Sequence, residues 1–183
     1  MLAPQLLIDA FGRVREAVYG SVQGLGSDDL VYRPDPAANS IAWLVWHLTR
    51  IQDDHLAPLA GVEQRWTADG WYDEFGLPFD RAATGYSHTA GEVGAVRVTG
   101  RLLTGYHDAV HDQTVHYLPT LDSADFDLIV DRSWDPPVSL GVRLISVIAD
   151  NLEHAGQAEY VRGLLERRRA GRYPATPRSA GSM

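Results

Sequence analysis

Residues 140–165 read LGVRLISVIADNLEHAGQAEYVRGLL, and their apolar side chains return at intervals of three and four residues, the spacing of an amphipathic helix. This apolar face is interrupted at its centre, where Asp150, Asn151 and His154 fall at positions that would otherwise face a core. Burying a carboxylate or an imidazole without a partner costs several kcal/mol. We therefore expect these side chains to find partners on another element of the fold.

Three further segments carry the same helical periodicity. Helices are predicted over about residues 4–22, 40–59 and 89–117, in addition to the one that runs to about residue 169. The third is expected to begin at Thr89, because Glu92 three residues later completes a capping box.

The connections between these helices differ in length and composition. Residues 61–88 are rich in glycine and aromatic side chains and lack sustained periodicity, which is typical of an ordered lid or wall. Residues 126–130 are expected to be extended. The sequence therefore predicts an all-α fold, a four-helix bundle with a long crossover connection. Residues 1–169 are expected to form this single domain and residues 170–183 a flexible tail.

Composition restricts the classes of partner. The 183-residue chain is 45% hydrophobic, carries a net charge of -8 and contains no cysteine. The acidic charge argues against binding to nucleic acid or to an anionic membrane, so small molecules are the expected partners. A metal would have to be held by nitrogen and oxygen atoms. No apolar stretch is long enough to span a membrane, and a cytoplasmic location is expected.

A candidate metal site follows from helical spacing. Asp150 and His154 lie four residues apart, so that both side chains project from one face of the helix about one turn apart. His47 lies on the flank of the apolar face of the second helix and would supply a third ligand from across the bundle. Two imidazoles and one carboxylate form a facial triad with open coordination positions, which a catalytic metal requires. The alternative is a simple ion pair between Asp150 and His154.

The other histidines give weaker indications. His107 and His111 are also four residues apart, but the charged residues and His116 around them indicate a solvated helix face. His55 and His88 are interpreted as capping or surface residues.

Four segments carry a resemblance to a known family. Residues 39–48 (NSIAWLVWHL), 134–143 (WDPPVSLGVR), 150–157 (DNLEHAGQ) and 160–165 (YVRGLL) resemble the DinB-like superfamily, in particular its actinobacterial members. The likeness covers nearly the whole chain. It implies a four-helix bundle with a long crossover, the same fold that the periodicity predicts.

The resemblance also implies a metal site and a class of reaction. Members carry three histidines, one late on the second helix and two separated by four residues on the last, often followed by Gly-Gln. His47 and His154 match this pattern, whereas Asp150 stands where the family has histidine. The implied cofactor is a divalent metal, with zinc or nickel favoured, although some members have lost the site. Related bundles include thiol S-transferases that use mycothiol or bacillithiol.

These expectations combine into a leading hypothesis and an alternative. The leading hypothesis is a metal-dependent S-transferase that joins a small-molecule thiol to an electrophile. Its metal ligands would be His47, Asp150 and His154, and its substrate-binding residues would be Trp43, Trp46, Trp71 and Gln157. The alternative is a non-catalytic bundle that has lost the metal and either binds a small ligand or acts as a scaffold in a homodimer.

Overall fold

Four long helices dominate the structure. The computed structural model describes residues 2–171, so the predicted tail lies outside the described residues from residue 172 onward. The long helices are α1 (Ala3–Val22), α3 (Ile41–Leu59), α7 (Gly100–Tyr117) and α8 (Leu140–Arg169). The connections contain the short helices α2 (Ser27–Leu30), α4 (Arg65–Ala68), α5 (Trp71–Phe75) and α6 (Ala90–Ala95), and the strands β1 (Ile129–Asp131) and β2 (Val138–Ser139).

The four long helices form a bundle. Helix α8 packs against α1 and α3, and α7 packs against the same two helices. The core consists of their buried apolar faces, which include Phe11, Leu44, Leu103 and Leu144, all at most 1% exposed. The predicted four-helix bundle is confirmed, and the contact between α3 and α8 is the one that assembles the candidate site.

Hydroxyl side chains fix where three of the long helices begin. Ser40, Thr99 and Ser139 accept hydrogen bonds from the backbone N–H three residues later at the starts of α3, α7 and α8. The capping box of Thr89 and Glu92 is present, but it begins the six-residue helix α6. The prediction that Thr89 opens the third long helix is therefore wrong, because the backbone becomes extended at Val96 before α7 starts.

A buried ionic network holds the crossover between α3 and α7 against the bundle. Both carboxylate oxygens of Asp53 accept backbone N–H groups at the start of α4, from Arg65 at 3.0 Å and Trp66 at 2.8 Å. The Tyr106 hydroxyl donates to the same carboxylate at 2.8 Å, and Arg50 lies 3.7 Å from it. The side chains of Arg50 and Asp53 are fully buried, so the crossover starts from a fixed anchor.

A second set of buried polar groups joins three of the long helices. The Asn151 side-chain amide of α8 donates to Gln52 Oε1 of α3 at 2.8 Å. The Gln52 amide in turn donates to the Thr114 hydroxyl of α7, also at 2.8 Å. We call these three side chains the amide ladder. It supplies the partner that the sequence requires for Asn151.

The connection between α7 and α8 ends in a small antiparallel hairpin of β1 and β2. Residues 129 and 130 of the stretch expected to be extended lie in β1, whereas Phe126 belongs to a short 3-10 helix at Asp125–Asp127. Within residues 2–171, no helix combines the length and apolarity needed to cross a membrane.

Candidate metal centre

Three side chains from the two adjacent helices converge on one point. His47 on α3 and Asp150 and His154 on α8 each offer one ligand atom, and these atoms lie within 4.8 Å of one another. His47 is only 5% exposed, whereas Asp150 and His154 are half-buried. The three side chains therefore meet as predicted, with the histidine of α3 next to the aspartate and histidine of α8.

Hydrogen bonds to Nδ1 fix the orientation of both imidazoles. His47 Nδ1 lies 2.6 Å from the carbonyl oxygen of Thr84 and must carry the proton, because a carbonyl only accepts. His154 Nδ1 lies 3.3 Å from Gln157 Oε1 and donates in the same way. In each ring, Nε2 is left with a lone pair, the form in which histidine binds a metal.

Asp150 provides a test of whether the residues fit a cation. Its Oδ1 lies 3.6 Å from His154 Nε2, beyond hydrogen-bond distance, and its Oδ2 is buried with no hydrogen-bond partner. A buried carboxylate oxygen without a partner is costly, and a bound cation is one way to satisfy it. The donor set of two imidazole nitrogens and a carboxylate fits a divalent transition metal.

The surroundings shift the pKa values of the two imidazoles in opposite directions. Burial lowers the pKa of His47, which keeps its ring neutral at physiological pH. The Asp150 carboxylate raises the pKa of His154, against the opposing effect of burial. A protonated His154 would pair with Asp150 in the absence of a cation, and a cation at the same place would replace that proton.

The rings of Trp43 and His88 cover one side of the site, and we call them the aromatic wall. The Trp43 ring stacks on His47 with centroids 4.6 Å apart and planes 12° apart. Trp43 Nε1 donates to His88 Nδ1 at 3.2 Å, and the His88 ring stacks on Trp46. The interpretation of His88 as a capping or surface residue is therefore wrong. The crossover brings His88 against Trp43, although the two residues are more than forty positions apart in the sequence.

Gly85 lies where the crossover comes closest to this wall. Its backbone φ is +97°, and a Cβ atom there would lie 2.7 Å from His47 Nδ1 and 3.2 Å from the Trp43 ring. Only glycine combines this φ with that approach. Sequence reasoning missed both Thr84 and Gly85, since no local pattern distinguishes them from the other residues of an irregular loop.

The predicted substrate-binding residues occupy different places. Trp43 and Gln157 contact the candidate ligands directly. Trp46 is 1% exposed and lies behind the wall, against His88 and Phe79. Trp71 packs on Tyr106 and Phe75, and no described contact joins it to the three ligands.

One histidine of the other pair is not solvated. His107 is fully buried, and burial lowers its pKa to about 3. Its Nδ1 lies 3.2 Å from the Thr49 hydroxyl, which itself donates to the carbonyl of Val45. The interpretation of His107 as a residue of a wet face is wrong. In the part of the chain that the structure describes, His47, Asp150 and His154 form the single group of three or more residues with metal-ligand spacing.

Comparisons with known proteins identify the family and agree with the fold. Residues 6–167 match the sequence profile of a family described as Mycothiol-S-transferase. The fold is similar to the crystal structure of a conserved protein from Enterococcus faecalis, with a TM-score of 0.85 and 29% identity over 91% of this chain and 98% of that chain. No curated protein matches the chain.

Proposed function

The chain belongs to the Mycothiol-S-transferase family, and we propose that it is a divalent-metal-dependent enzyme that transfers a low-molecular-weight thiol of the mycothiol type to a small electrophile. The observation that supports this proposal best is the convergence of His47, Asp150 and His154, with an Asp150 oxygen that has no other partner. Zinc or nickel is the proposed metal, because nitrogen-rich sites bind both strongly.

The three ligands would hold the cation and leave coordination positions open. A divalent cation there would supply the positive charge that lowers the pKa of a neighbouring thiol and favours its thiolate. Asp150 stands where the family pattern has histidine, so the site carries one negative charge more than a three-histidine site. This charge favours a harder cation than three imidazoles would.

Residues around the proposed metal orient its ligands and limit the access of water. Thr84 and Gln157 hold the two imidazole rings through Nδ1, and Trp43 with His88 excludes water from one side. In the transfer, the thiolate sulfur forms a bond to an electrophilic carbon while the bond from that carbon to its leaving group breaks. The leaving group departs with the electron pair, and the thiol proton passes to solvent.

The proposal predicts that the purified protein contains about one divalent metal ion per chain. Protein made without a histidine tag is analysed for metal next to the His154→Ala variant and the control His116→Ala, which removes an exposed histidine of α7. His154→Ala should lose the metal and the transfer of mycothiol to a haloalkyl electrophile, and the control should keep both.

The thermal unfolding of the same proteins gives a second measurement. A metal that binds only the folded state stabilises it by about 2.7 kcal/mol at a hundredfold excess over Kd. Wild-type protein without metal, and with no thermal shift on addition of zinc or nickel, would instead support a non-catalytic bundle in which Asp150 and His154 form only an ion pair.

A further inference from the structure

Helix α8 carries an apolar stripe on a side that is turned away from the core. Val142, Ile145, Ala149, Leu152 and Gly156 follow one another at alternating intervals of three and four residues, which keeps them on one face of the helix. All five are exposed, Val142 at 54% and Ile145 at 59%. We call these five residues the α8 stripe. Within residues 2–171, no element of the fold covers it.

The spacing of the α8 stripe is that of a helix that packs along a second helix. Intervals of three and four residues repeat every seven residues, and such a seam forms the contact between the strands of a coiled coil. The residues that α8 gives to the core of the bundle lie on another face, at positions such as Leu144, Val147 and Ile148. Helix α8 therefore has two apolar faces, and the fold of one chain uses only one of them.

The segment before α8 continues the exposed apolar surface. The backbone N–H of Leu140 donates to the carbonyl of Leu128 at 2.8 Å, and Phe126 packs on Gly141. In the part of the chain that the structure describes, twelve large hydrophobic side chains are exposed, and eight of them belong to residues 128–160. At roughly 100 Å² each they offer about 800 Å², the area that each partner buries in an interface of standard size.

The α8 stripe is complementary to itself when two copies meet in opposite directions. This alignment places Ala149 of the second copy opposite Ile145, and Leu152 of the second copy opposite Val142. A larger side chain meets a smaller one in each pair, and two-fold symmetry repeats both pairs. A surface that matches its own two-fold image fits a contact between identical chains.

Charges beside the α8 stripe favour the same alignment. The stripe itself carries no charge, whereas the whole chain has a net charge of -8, so two copies would repel one another at most other surfaces. Glu153 borders the stripe and would lie beside Ser139 of the second copy, at the positive N-terminal end of its α8. A parallel alignment would instead bring the two positive ends together. The second copy therefore fits in the antiparallel direction.

We propose that the α8 stripe is the interface of an antiparallel homodimer. The proposal does not depend on the proposed enzymatic function. Asp150 lies about 100° around the helix from Ala149, on the side where it meets His47 of α3. The candidate metal centre of each copy consequently stays outside the contact.

Light scattering during gel filtration measures whether the dimer forms. The wild-type protein should have twice the 20.2 kDa mass of one chain. Ile145→Asp should raise the Kd of the dimer about tenfold or more, because the contact would bury a carboxylate that has no partner. Leu6→Asp is the matched control, since Leu6 of α1 is 56% exposed and lies outside the α8 stripe. This control should remain a dimer.

Cysteine crosslinking tests the direction of the two helices, because the chain contains no cysteine of its own. A mixture of Ile145→Cys and Ala149→Cys should form a disulfide-linked dimer under mild oxidation, since opposing residues of this contact come within reach of a disulfide. Ile145→Cys alone should not crosslink, because the same residue of the second copy lies about 6 Å further along the axis. Glu16→Cys, at an exposed position of α1, measures crosslinking by random collision.

Three results would contradict the proposed interface. A monomeric wild type would overturn it and leave the α8 stripe to a different protein. A dimer that survives Ile145→Asp unchanged would place the contact on another face. Efficient crosslinking of Ile145→Cys alone would show a parallel alignment.

The same measurements separate the interface from the proposed function. All of them use protein treated with EDTA, because the contact requires no metal. A dimer of a chain that never binds metal would refute the proposed function and support the interface. A monomer that binds metal and transfers the thiol would refute only the interface.

Discussion

Gly85 shows how a single residue of the crossover controls the candidate site. The three atoms nearest to a Cβ at this position would belong to His47, Trp46 and Trp43. The geometry of the site therefore depends on a residue that has no side chain. Helical periodicity predicts His47, Asp150 and His154, because spacing along a helix determines which side chains share a face. It cannot predict Thr84, Gly85 or His88, because their positions follow from long-range packing of an irregular loop.

Gly85→Ala should disturb the site more than an ordinary substitution at positive φ. Strain from such a backbone conformation costs about 1–3 kcal/mol, and the clash with His47 Nδ1 adds to it. Gly61→Ala is the control, since Gly61 has a φ of +69° and open space around its Cβ position. Urea unfolding and zinc titration measure the two effects. Equal losses of stability with unchanged zinc affinity would show that the close approach at Gly85 has no role in the site.

At the scale of elements, the anchor of the crossover determines where its site residues lie. Asp53 holds the start of α4, and Arg50 donates to the carbonyl of Ala83, the residue before Thr84. Burial raises the pKa of Asp53, opposed by the N–H groups and the Tyr106 hydroxyl that it accepts. Sequence patterns indicate an ordered crossover but not this anchor. Arg50, Asp53 and Tyr106 lie on helices that also form the core, so their spacing does not reveal that they bind the crossover.

Tyr106→Phe should destabilise the protein by about 1–3 kcal/mol. The Tyr106 hydroxyl is fully buried between Arg50 and Asp53, so its removal leaves both with one bond fewer. Tyr72→Phe is the control, because the Tyr72 hydroxyl makes one long bond of 3.3 Å to a backbone carbonyl and is only partly buried. The free energy of unfolding in urea should be lower for Tyr106→Phe than for Tyr72→Phe, by more than the measurement error. If the two variants are equally stable, the network does not hold the crossover.

For the whole molecule, the acid limit of stability depends on histidines that the bundle keeps neutral. Burial lowers the pKa of His107 to about 3, whereas the unfolded chain has the ordinary value of 6.5. The unfolded state therefore binds more protons between these values, and stability falls as the pH decreases from 6.5 towards 3. Above pH 6.5 this contribution is constant.

His107→Gln should remove that part of the pH dependence. Between pH 7 and pH 5 the free energy of unfolding of the wild type should fall by about 2 kcal/mol more than that of the variant. His116→Gln, at an exposed position of the same helix, should follow the wild type. Urea unfolding at the two pH values gives the comparison. Parallel curves for wild type and His107→Gln would mean that folding leaves the pKa of His107 near its unfolded value.

The amide ladder also limits how the helices can move. Asn151 is the next residue after Asp150, and its bond to Gln52 ties α8 to α3 beside the site. Sliding α8 by one turn would break this bond and leave two amides unpaired in the core, which opposes any axial displacement. The three candidate ligands consequently keep their relative positions without a cation, and binding of the proposed metal should require no preceding rearrangement of α3 and α8.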